Sequence, residues 1–342
     1  MAGVLIGTLK AIRAPLAAIL LTLALGFVLV ACITDDPVQA YRDLLFANFG
    51  SVSNFALFLN RAAPLLLIAL GVIFSFRAGI FNVGGEGQLY AGAIATTVIG
   101  VMLGGLSPLI LFPLAVAGGI LAGAFLGWIP ATLKIRLGVD EVVTTLMLNI
   151  IVLLFTSYLS NQVIRDTASY GAVSQMLPAS IWLPDLPGVR GATSGIIVAL
   201  VLAGVTWLVL FRTEWGAQLR ASGTNLRFAK SVGIPADRRI ISAMLVAGGL
   251  AGLAGALYVL GIGHRFEQNF SPAYGLVGLT CALLARIHPI GALATALFYA
   301  MMLNGAAYMQ ISTDVPRSLV NLLTGLLVLL MTARLRKSGQ RG

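Results

Sequence analysis

Residues 108–133 read PLILFPLAVAGGILAGAFLGWIPATL, a run without a single charged side chain. About 20 apolar residues are enough for a helix to cross the hydrocarbon core of a bilayer, so this run can span a membrane. The whole chain has the same character, since 58% of its 342 residues are hydrophobic and only 10% are charged, against about 25% in soluble domains. The sequence therefore predicts an all-α protein that crosses a membrane several times.

Counting such runs gives about ten transmembrane helices in one domain that covers residues 1–342. The runs lie near residues 15–33, 57–76, 88–106, 108–133, 142–160, 194–211, 242–262, 275–285, 289–311 and 318–333. The first run follows Lys10 and Arg13 and ends near Cys32, as a lipoprotein signal would. It is longer than the apolar region of a cleaved signal, about 7–15 residues, so we predict a retained first helix.

Basic residues divide unevenly between the two sides that ten spans define. Sixteen of the 22 fall on one side: Lys10, Arg13, Arg77, Lys134, Arg136, Arg212, Arg220, Arg227, Lys230, Arg238, Arg239, Arg286, Arg334, Arg336, Lys337 and Arg341. The other side receives Arg42, Arg61, Arg165, Arg190, Arg265 and Arg317. Cytoplasmic loops carry the excess of Lys and Arg, so both termini and residues 212–241 are predicted to be cytoplasmic. Orientation accounts for the net charge of +10, and we predict no nucleic-acid partner.

Two of the predicted spans are interrupted. The run at 275–285 is too short to cross alone, and Pro289 follows it closely; a second interruption covers residues 77–88. Non-helical backbone at membrane depth is tolerated only where it lines protein or water. If spans two to five and seven to ten are related units, their offset of five gives two inverted-topology repeats, a pattern found in transporters.

Small residues recur at the spacing of helix contacts. Gly119, Gly123 and Gly127 form one ridge, and Gly248 with Gly252 begins another. Such ridges let helix backbones approach closely in lipid. We interpret them as packing within one subunit, with a subunit interface as the alternative.

Residues 81–88 read FNVGGEGQ between the second and third spans. Three glycines free the backbone around Asn82, Glu86 and Gln88, whose side chains offer the mixed donors and acceptors that a polar solute needs. The alternative is a capped helix start without substrate contact, because a carboxylate is favourable near a helix N-terminus. Both interpretations remain open at this point.

Catalytic and metal-binding constellations are missing from the sequence. Cys32 and Cys281 both lie in apolar runs, and His264 and His288 lack ligand spacing, so we predict no disulfide and no metal site. No GxxxxGK[ST] phosphate loop occurs, which leaves no site for ATP hydrolysis. The chain is therefore expected to be a transport subunit and not an enzyme.

Several motifs together resemble the permease subunits of bacterial ABC importers, in the nucleoside branch of a family that also includes ribose, other sugar and branched-chain amino-acid permeases. They are FNVGGEGQ at 81–88, LGVDEVVTTLMLN at 137–149, FSPAYG at 270–275 and HPIG at 288–291. The resemblance covers residues 60–330. It implies a type II-like importer fold. Residues 284–288, LARIH, depart from the glycine-arginine-asparagine run expected there, which leaves the contacts near Arg286 undefined.

Residues 223–234, GTNLRFAKSVGI, resemble the cytoplasmic coupling helix of such permeases. Gly223 and Gly233 bracket a piece long enough for two or three helical turns, with Phe228 and Val232 at i, i+4 as an apolar knob and Arg227 beside them. The predicted coupling loop is 212–241, and the resemblance implies that an ATP-binding subunit docks there. The alternative is a basic loop that faces anionic lipid.

The resemblance implies a subunit of an ATP-driven importer in the bacterial cytoplasmic (inner) membrane that forms the pathway for purine nucleosides or related compounds. It implies a second permease, by resemblance a different chain, and an extracytoplasmic substrate-binding protein. ATP and Mg would be used by the ATPase subunit and no cofactor bound here. Pathway candidates are Asn82, Glu86, Gln88, Asn149 and Asn304. Alternatives are a sugar or branched-chain amino-acid permease, an ion-gradient transporter with Glu86 as its coupling carboxylate, and a membrane-embedded enzyme.

Overall fold

The computed structural model describes residue 24, residues 26–32, 34, 36–167 and 173–313, and residue 325. Helices dominate this part of the chain: α1 (Pro37–Phe46), α2 (Val52–Arg77), α3 (Gly85–Met102), α4 (Pro108–Leu137), α5 (Glu141–Tyr158), α6 (Gly195–Arg212), α7 (Glu214–Thr224), α8 (Leu226–Ser231), α9 (Ala236–Tyr258), α10 (Tyr274–Leu284) and α11 (Pro289–Ser312). A short hairpin pairs β1 (Asp185–Leu186) with β2 (Val189–Thr193) in antiparallel fashion. The all-α fold class is confirmed.

Within the described residues, six helices are long and apolar enough to cross a membrane: α2, α4, α5, α6, α9 and α11. The second to ninth predicted runs all correspond to helices, with α3 starting at Gly85 and α10 as the short one. Most of the first run (15–33), nearly all of the last (318–333) and both chain ends lie outside the described residues. The chain is a multi-pass membrane protein.

Arg61, counted with the six basic residues of the less basic side, falls within the predicted run at 57–76. It lies inside α2, close enough to Tyr258 and Tyr274 for its charge to act on both side chains. The helix includes the arginine, as the predicted run does.

The chain divides into two compact units. The larger covers residues 59–299, and the smaller combines residues 1–58 with 300–342. In the larger unit α3, α4 and α9 pack on one another and form its centre. In the smaller unit Asn48 donates to the Met301 carbonyl over 3.0 Å, and the Leu44 carbonyl lies against Gly305.

Glycines make the close contact of α4 with α9 possible. A Cβ on Gly248 would lie 2.2 Å from the Gly123 carbonyl oxygen, and a Cβ on Gly127 would lie 2.2 Å from that of Met244. α3 joins the same contact, since a Cβ on Gly92 would lie 2.1 Å from the Gly252 carbonyl oxygen. The ridges therefore pack against each other within this chain, as predicted.

Two loops at one end of the larger unit are held together by backbone hydrogen bonds. Ser174 N donates to the Phe266 carbonyl (2.9 Å) and Leu177 N to the His264 carbonyl (2.8 Å). The hairpin is pinned separately by Asn60 of α2, whose amide donates to the Gly191 carbonyl (2.7 Å) and accepts from Thr193 N (2.8 Å). These contacts fix the segment 264–273 that leads into α10.

The glycine contacts generate a stability prediction. Gly248→Ala should lower the melting temperature in detergent, because its methyl would collide with the Gly123 backbone and such overpacking costs about 1–3 kcal/mol. Gly204→Ala in α6 is the matched control: its Cβ would have no atom within 4 Å, and alanine is favoured over glycine in a helix by roughly 0.5–1 kcal/mol. Fluorescence-detected size exclusion after heating measures both; a Gly248→Ala protein as stable as wild type would contradict this packing.

Candidate functional site

The segment between α2 and α3 is organised by side-chain amides. Asn82 Oδ1 accepts from Gly84 N over 2.8 Å, and Asn82 Nδ2 donates to Gln88 Oε1 over 3.3 Å. Both amide side chains are buried. Asn82 thereby stabilises the turn that leads into α3 and satisfies the side-chain oxygen of Gln88.

Asn149 of α5 fastens this segment from the neighbouring helix. Its Nδ2 donates to the Val83 carbonyl over 3.0 Å, and its Oδ1 accepts from Gly87 N over 2.8 Å. A Cβ on Gly87 would lie 2.8 Å from that same oxygen, so glycine is needed for the amide to reach. Asn149 satisfies a free N–H at the start of α3, which lipid could not do.

Glu86 points from the first turn of α3 to the start of α10. Its Oε2 accepts from Gly275 N over 2.6 Å, and the Ser271 hydroxyl is a second partner. Ser271 also accepts from Tyr274 N (2.9 Å) through its hydroxyl and donates its N–H to the Tyr90 hydroxyl (3.3 Å). A carboxylate at a helix N-terminus satisfies a free N–H and complements the helix dipole.

α10 confirms the interruption expected at 275–285. It has 11 residues, a length of about 16 Å at 1.5 Å per residue, which is roughly half of a bilayer core. Ala273 before it has a left-handed φ of 64°. The N-termini of α3 and α10 thus meet at the Glu86–Gly275 contact, where Gly275 lets the backbones touch: its Cβ would lie 2.3 Å from Glu86 N.

Aromatic rings stack beside this contact. Phe270 lies between Tyr90, at 4.6 Å between ring centroids, and Tyr258, at 4.4 Å. Phe266 meets the edges of Tyr90 and Phe270. The rings cover the segment 264–273 on the side of α3 and α9.

A narrow cleft opens on the other side of the α3 N-terminus. It is lined by Gly84, Gly87, Gln88, Leu126, Thr145, Leu148 and Asn149. Gln88 Nε2 is buried beside it without a hydrogen-bond partner, so one donor of the amide network remains unused.

The structure brings together four of the five pathway candidates. Asn82, Glu86, Gln88 and Asn149 surround the start of α3. Asn304 belongs to the smaller unit, where its Nδ2 donates to Asn48 Oδ1 over 2.8 Å and to the Asn54 carbonyl over 3.3 Å. These bonds supply a structural reason for a polar residue within α11.

Sequence reasoning missed Ser271 and Gly275 as partners of Glu86. A signal was present, because both belong to the motif FSPAYG, whose glycine and serine suit a tight helix start. Which carboxylate they would face could not be predicted, because Ser271 and Gly275 lie 185 and 189 positions from Glu86 along the chain.

α8 is a short, well-capped helix in the predicted coupling loop. Asn225 Oδ1 accepts from Phe228 N over 3.0 Å at its start. At its end Gly233 has a φ of +83°, while Ile234 N donates to the Ala229 carbonyl over 3.0 Å. This is the glycine-terminated helix end that places the last carbonyls in hydrogen bonds.

One face of α8 is exposed and partly apolar. Phe228 and Val232 are 58% and 54% exposed, Leu226 is 41% exposed, and Arg227 is exposed beside them. Ala229 on the opposite face is buried. Gly223, also predicted to take part in coupling, does not belong to this exposed face. It lies in α7 and packs against the carbonyl of Arg77.

The described residues combine helices that are long and apolar enough to cross a membrane with a polar contact between two helix starts. Residues 54–332 match the family described as "branched-chain amino acid transport system / permease component", and the chain belongs to that family. Membership confirms a transport subunit, not an enzyme.

Curated relatives match nearly end to end. The nucleoside ABC transporter permease protein NupB of Lactococcus lactis is 30% identical over 95% of this chain and 92% of its own. The glucose ABC transporter permease protein TsgB13 of Haloferax volcanii is 30% identical over 93% and 86%. The guanosine ABC transporter permease protein NupP of Bacillus subtilis is 32% identical over 93% and 92%, and its companion NupQ is 29% identical over 70% and 76%. The predicted kinship with ABC permeases is confirmed.

The Asn149 contacts generate a second prediction. Asn149→Ala leaves the Val83 carbonyl and the Gly87 N–H without partners, and each unsatisfied buried group costs about 1–3 kcal/mol. We expect a melting temperature several degrees below wild type in detergent. Thr144→Ala on the same helix is the control, because its hydroxyl bonds only to Asp140 of its own helix, at the surface. Equal melting curves for the two variants would show that the Asn149 bonds do not hold α3.

Proposed function

We propose that this chain is the transmembrane subunit of an ATP-driven importer and forms half of a translocation pathway for nucleosides, purine nucleosides or related compounds. The observation that supports the substrate is the similarity to permeases named for nucleosides and guanosine over more than nine-tenths of both chains. The observation that supports the pathway is a half-buried carboxylate between two helix starts inside an apolar bundle.

Within this pathway we assign the leading role to Glu86. It is accessible in part, whereas Asn82 and Gln88 are only 2% exposed and bond to each other. Asn149 and Gln88 border the narrow cleft at the start of α3 and remain pathway candidates. Asn304 is retained as a weaker candidate, since its hydrogen bonds leave less of the amide available.

A sugar is the second candidate substrate. The glucose permease of Haloferax volcanii is as similar to this chain as the nucleoside permease of Lactococcus lactis, at 30% identity. A ribose and a glucose both present hydroxyl groups that amides and a carboxylate can bind. Branched-chain amino acids, named in the family description, are a third possibility.

The proposed partners follow from the same relationship. An ATP-binding subunit, which uses ATP and Mg, would dock on α8 within the cytoplasmic loop 212–241. The second permease would be a different chain, as the two guanosine permeases of Bacillus subtilis suggest. An extracytoplasmic binding protein would deliver the substrate. The location would be the bacterial cytoplasmic membrane, with both termini in the cytoplasm.

Uptake assays test the pathway. In cells that lack other nucleoside transporters, Glu86→Ala should lower uptake of radiolabelled guanosine at least tenfold, because the variant removes the carboxylate at the meeting point of α3 and α10. Asp36→Asn is the control, since that exposed carboxylate caps α1 in the smaller unit, where asparagine caps a helix about as well. Competition with unlabelled adenosine or glucose then identifies the substrate class. Wild-type uptake by Glu86→Ala, at equal protein in the membrane, would remove Glu86 from the pathway.

Co-purification tests the docking surface. The tagged wild-type chain, extracted in mild detergent, should bring an ATP-binding subunit and a second permease identified by mass spectrometry. Phe228→Asp should lose the ATPase subunit, because a charge would enter an apolar socket, while Phe228→Leu should keep it. Retention by Phe228→Asp would place docking elsewhere. A solitary wild-type chain whose uptake follows a proton or sodium gradient would favour the ion-gradient transporter.

A further inference from the structure

Arg77, the last residue of α2, holds the corner between α10 and α11. Its Nε and Nη2 both donate to the Ile287 carbonyl, over 3.1 and 2.9 Å. A guanidinium presents such donors in a fixed fork, so the bond sets direction as well as distance. The side chain therefore fixes the position of Ile287.

The corner itself has an unusual backbone. Arg286 and Ile287 have φ values of 52° and 56°, a region that costs energy for residues other than glycine and most for a β-branched one. Such a conformation persists only when its surroundings hold it. The bond from Arg77 is one of the contacts that do so, together with the bond from Ile287 N to the Ala282 carbonyl.

The backbone of Arg77 touches the coupling loop. A Cβ on Gly223, near the end of α7, would lie 2.2 Å from the Arg77 carbonyl oxygen and 2.8 Å from Gly79 N. Only two residues separate Gly223 from α8. A displacement of α8 and the end of α7 must therefore move the end of α2, since backbone meets backbone with no side chain between them to adapt.

The guanidinium is also oriented from the side. Its carbon lies 5.5 Å from the centre of the Phe211 ring, and that of Arg220 in α7 lies 5.2 Å from the same ring. The two cations are close enough to repel each other, and Arg220 Nη1 is buried without a hydrogen-bond partner. Movement of α7 thus changes the electrostatic environment of Arg77 directly.

The corner continues into α10, whose other end meets Glu86. α10 is a single uninterrupted helix, and short helices move as rigid rods. A shift at Ile287 therefore reaches the Gly275–Glu86 hydrogen bond at the opposite end. Arg77 therefore links two parts of the chain. Its backbone contacts the coupling loop at Gly223, and its side chain contacts the corner at Ile287.

We propose that Arg77 is a positioning residue that transmits movement of the docked ATPase from α7 and α8 to α10, and so opens or closes the Glu86–Gly275 contact. The inference rests on the proposed function, because it requires an ATPase subunit on α8. Under this proposal Arg77 couples ATP hydrolysis to transport, and this role is separate from its contribution to folding.

The test measures ATP hydrolysis and guanosine uptake in the same proteoliposomes, made with the complete transporter. Arg77→Lys keeps the charge and loses the two-pronged bond. We expect hydrolysis within about twofold of wild type and uptake at least tenfold lower, so that uptake per ATP falls about tenfold. Arg136→Lys, an exposed residue in the last turn of α4, is the matched control and should leave the ratio unchanged.

The proposal would be overturned if the Arg77→Lys complex assembles and its uptake per ATP equals that of wild type. This holds whether uptake and hydrolysis are both normal or both reduced by the same factor. If Arg77→Lys fails to assemble, Gly223→Ala decides, because it displaces the coupling loop from Arg77 without touching the guanidinium and should give the same fall in uptake per ATP. Hydrolysis-independent uptake by the wild-type transporter would instead count against the ATP-driven function and not against the role of Arg77.

Discussion

The structure of the larger unit depends on one constraint: a helix that begins inside an apolar bundle must find partners for its free N–H groups. Two helices, α3 and α10, begin at the same place. Asn149 satisfies Gly87 N and Glu86 satisfies Gly275 N, so side chains do what water would do at a surface. The FNVGGEGQ motif supplies part of these hydrogen bonds at the two helix starts. A role of the same residues in transport would be additional to this structural role.

A rigid frame keeps the two helix starts in register. α3, α4 and α9 meet at glycine contacts in which backbone atoms lie against backbone atoms, and close-packed contacts of this kind transmit displacement with little compression. α10 lacks such contacts with α4 and touches α3 mainly near Glu86. The short helix is therefore held less by α3 and α4 than those helices are by each other, although Gly278 packs it against Ile68 of α2.

Sequence patterns predicted the helices and the short α10, because apolar run length and proline placement are local properties. They also predicted the polar cluster at 82–88 and a short helix ended by Gly233, although it begins at Leu226 and not just after Gly223, which belongs to α7. Partners could not be predicted: that Asn149 bonds to Val83, that Glu86 meets Gly275, or that Gly223 rests on Arg77 depends on how distant helices pack. Arg61 is a further example, because the run at 57–76 predicts a helix around it but not its proximity to Tyr258 and Tyr274.

The distribution of exposure limits where substrate selectivity can reside. Asn82 and Gln88 are buried and bonded to each other, and a solute could reach them only by breaking that bond and leaving buried groups unpaired, which is costly. Glu86, Ser271 and the rings of Tyr258 and Phe270 keep some exposure. The carboxylate and these two rings are therefore the more accessible groups near the two helix starts, while the amides maintain the backbone beneath them. Substitutions among the more exposed groups would leave both helix starts satisfied, because the bonds of Asn82 and Asn149 do not involve those groups.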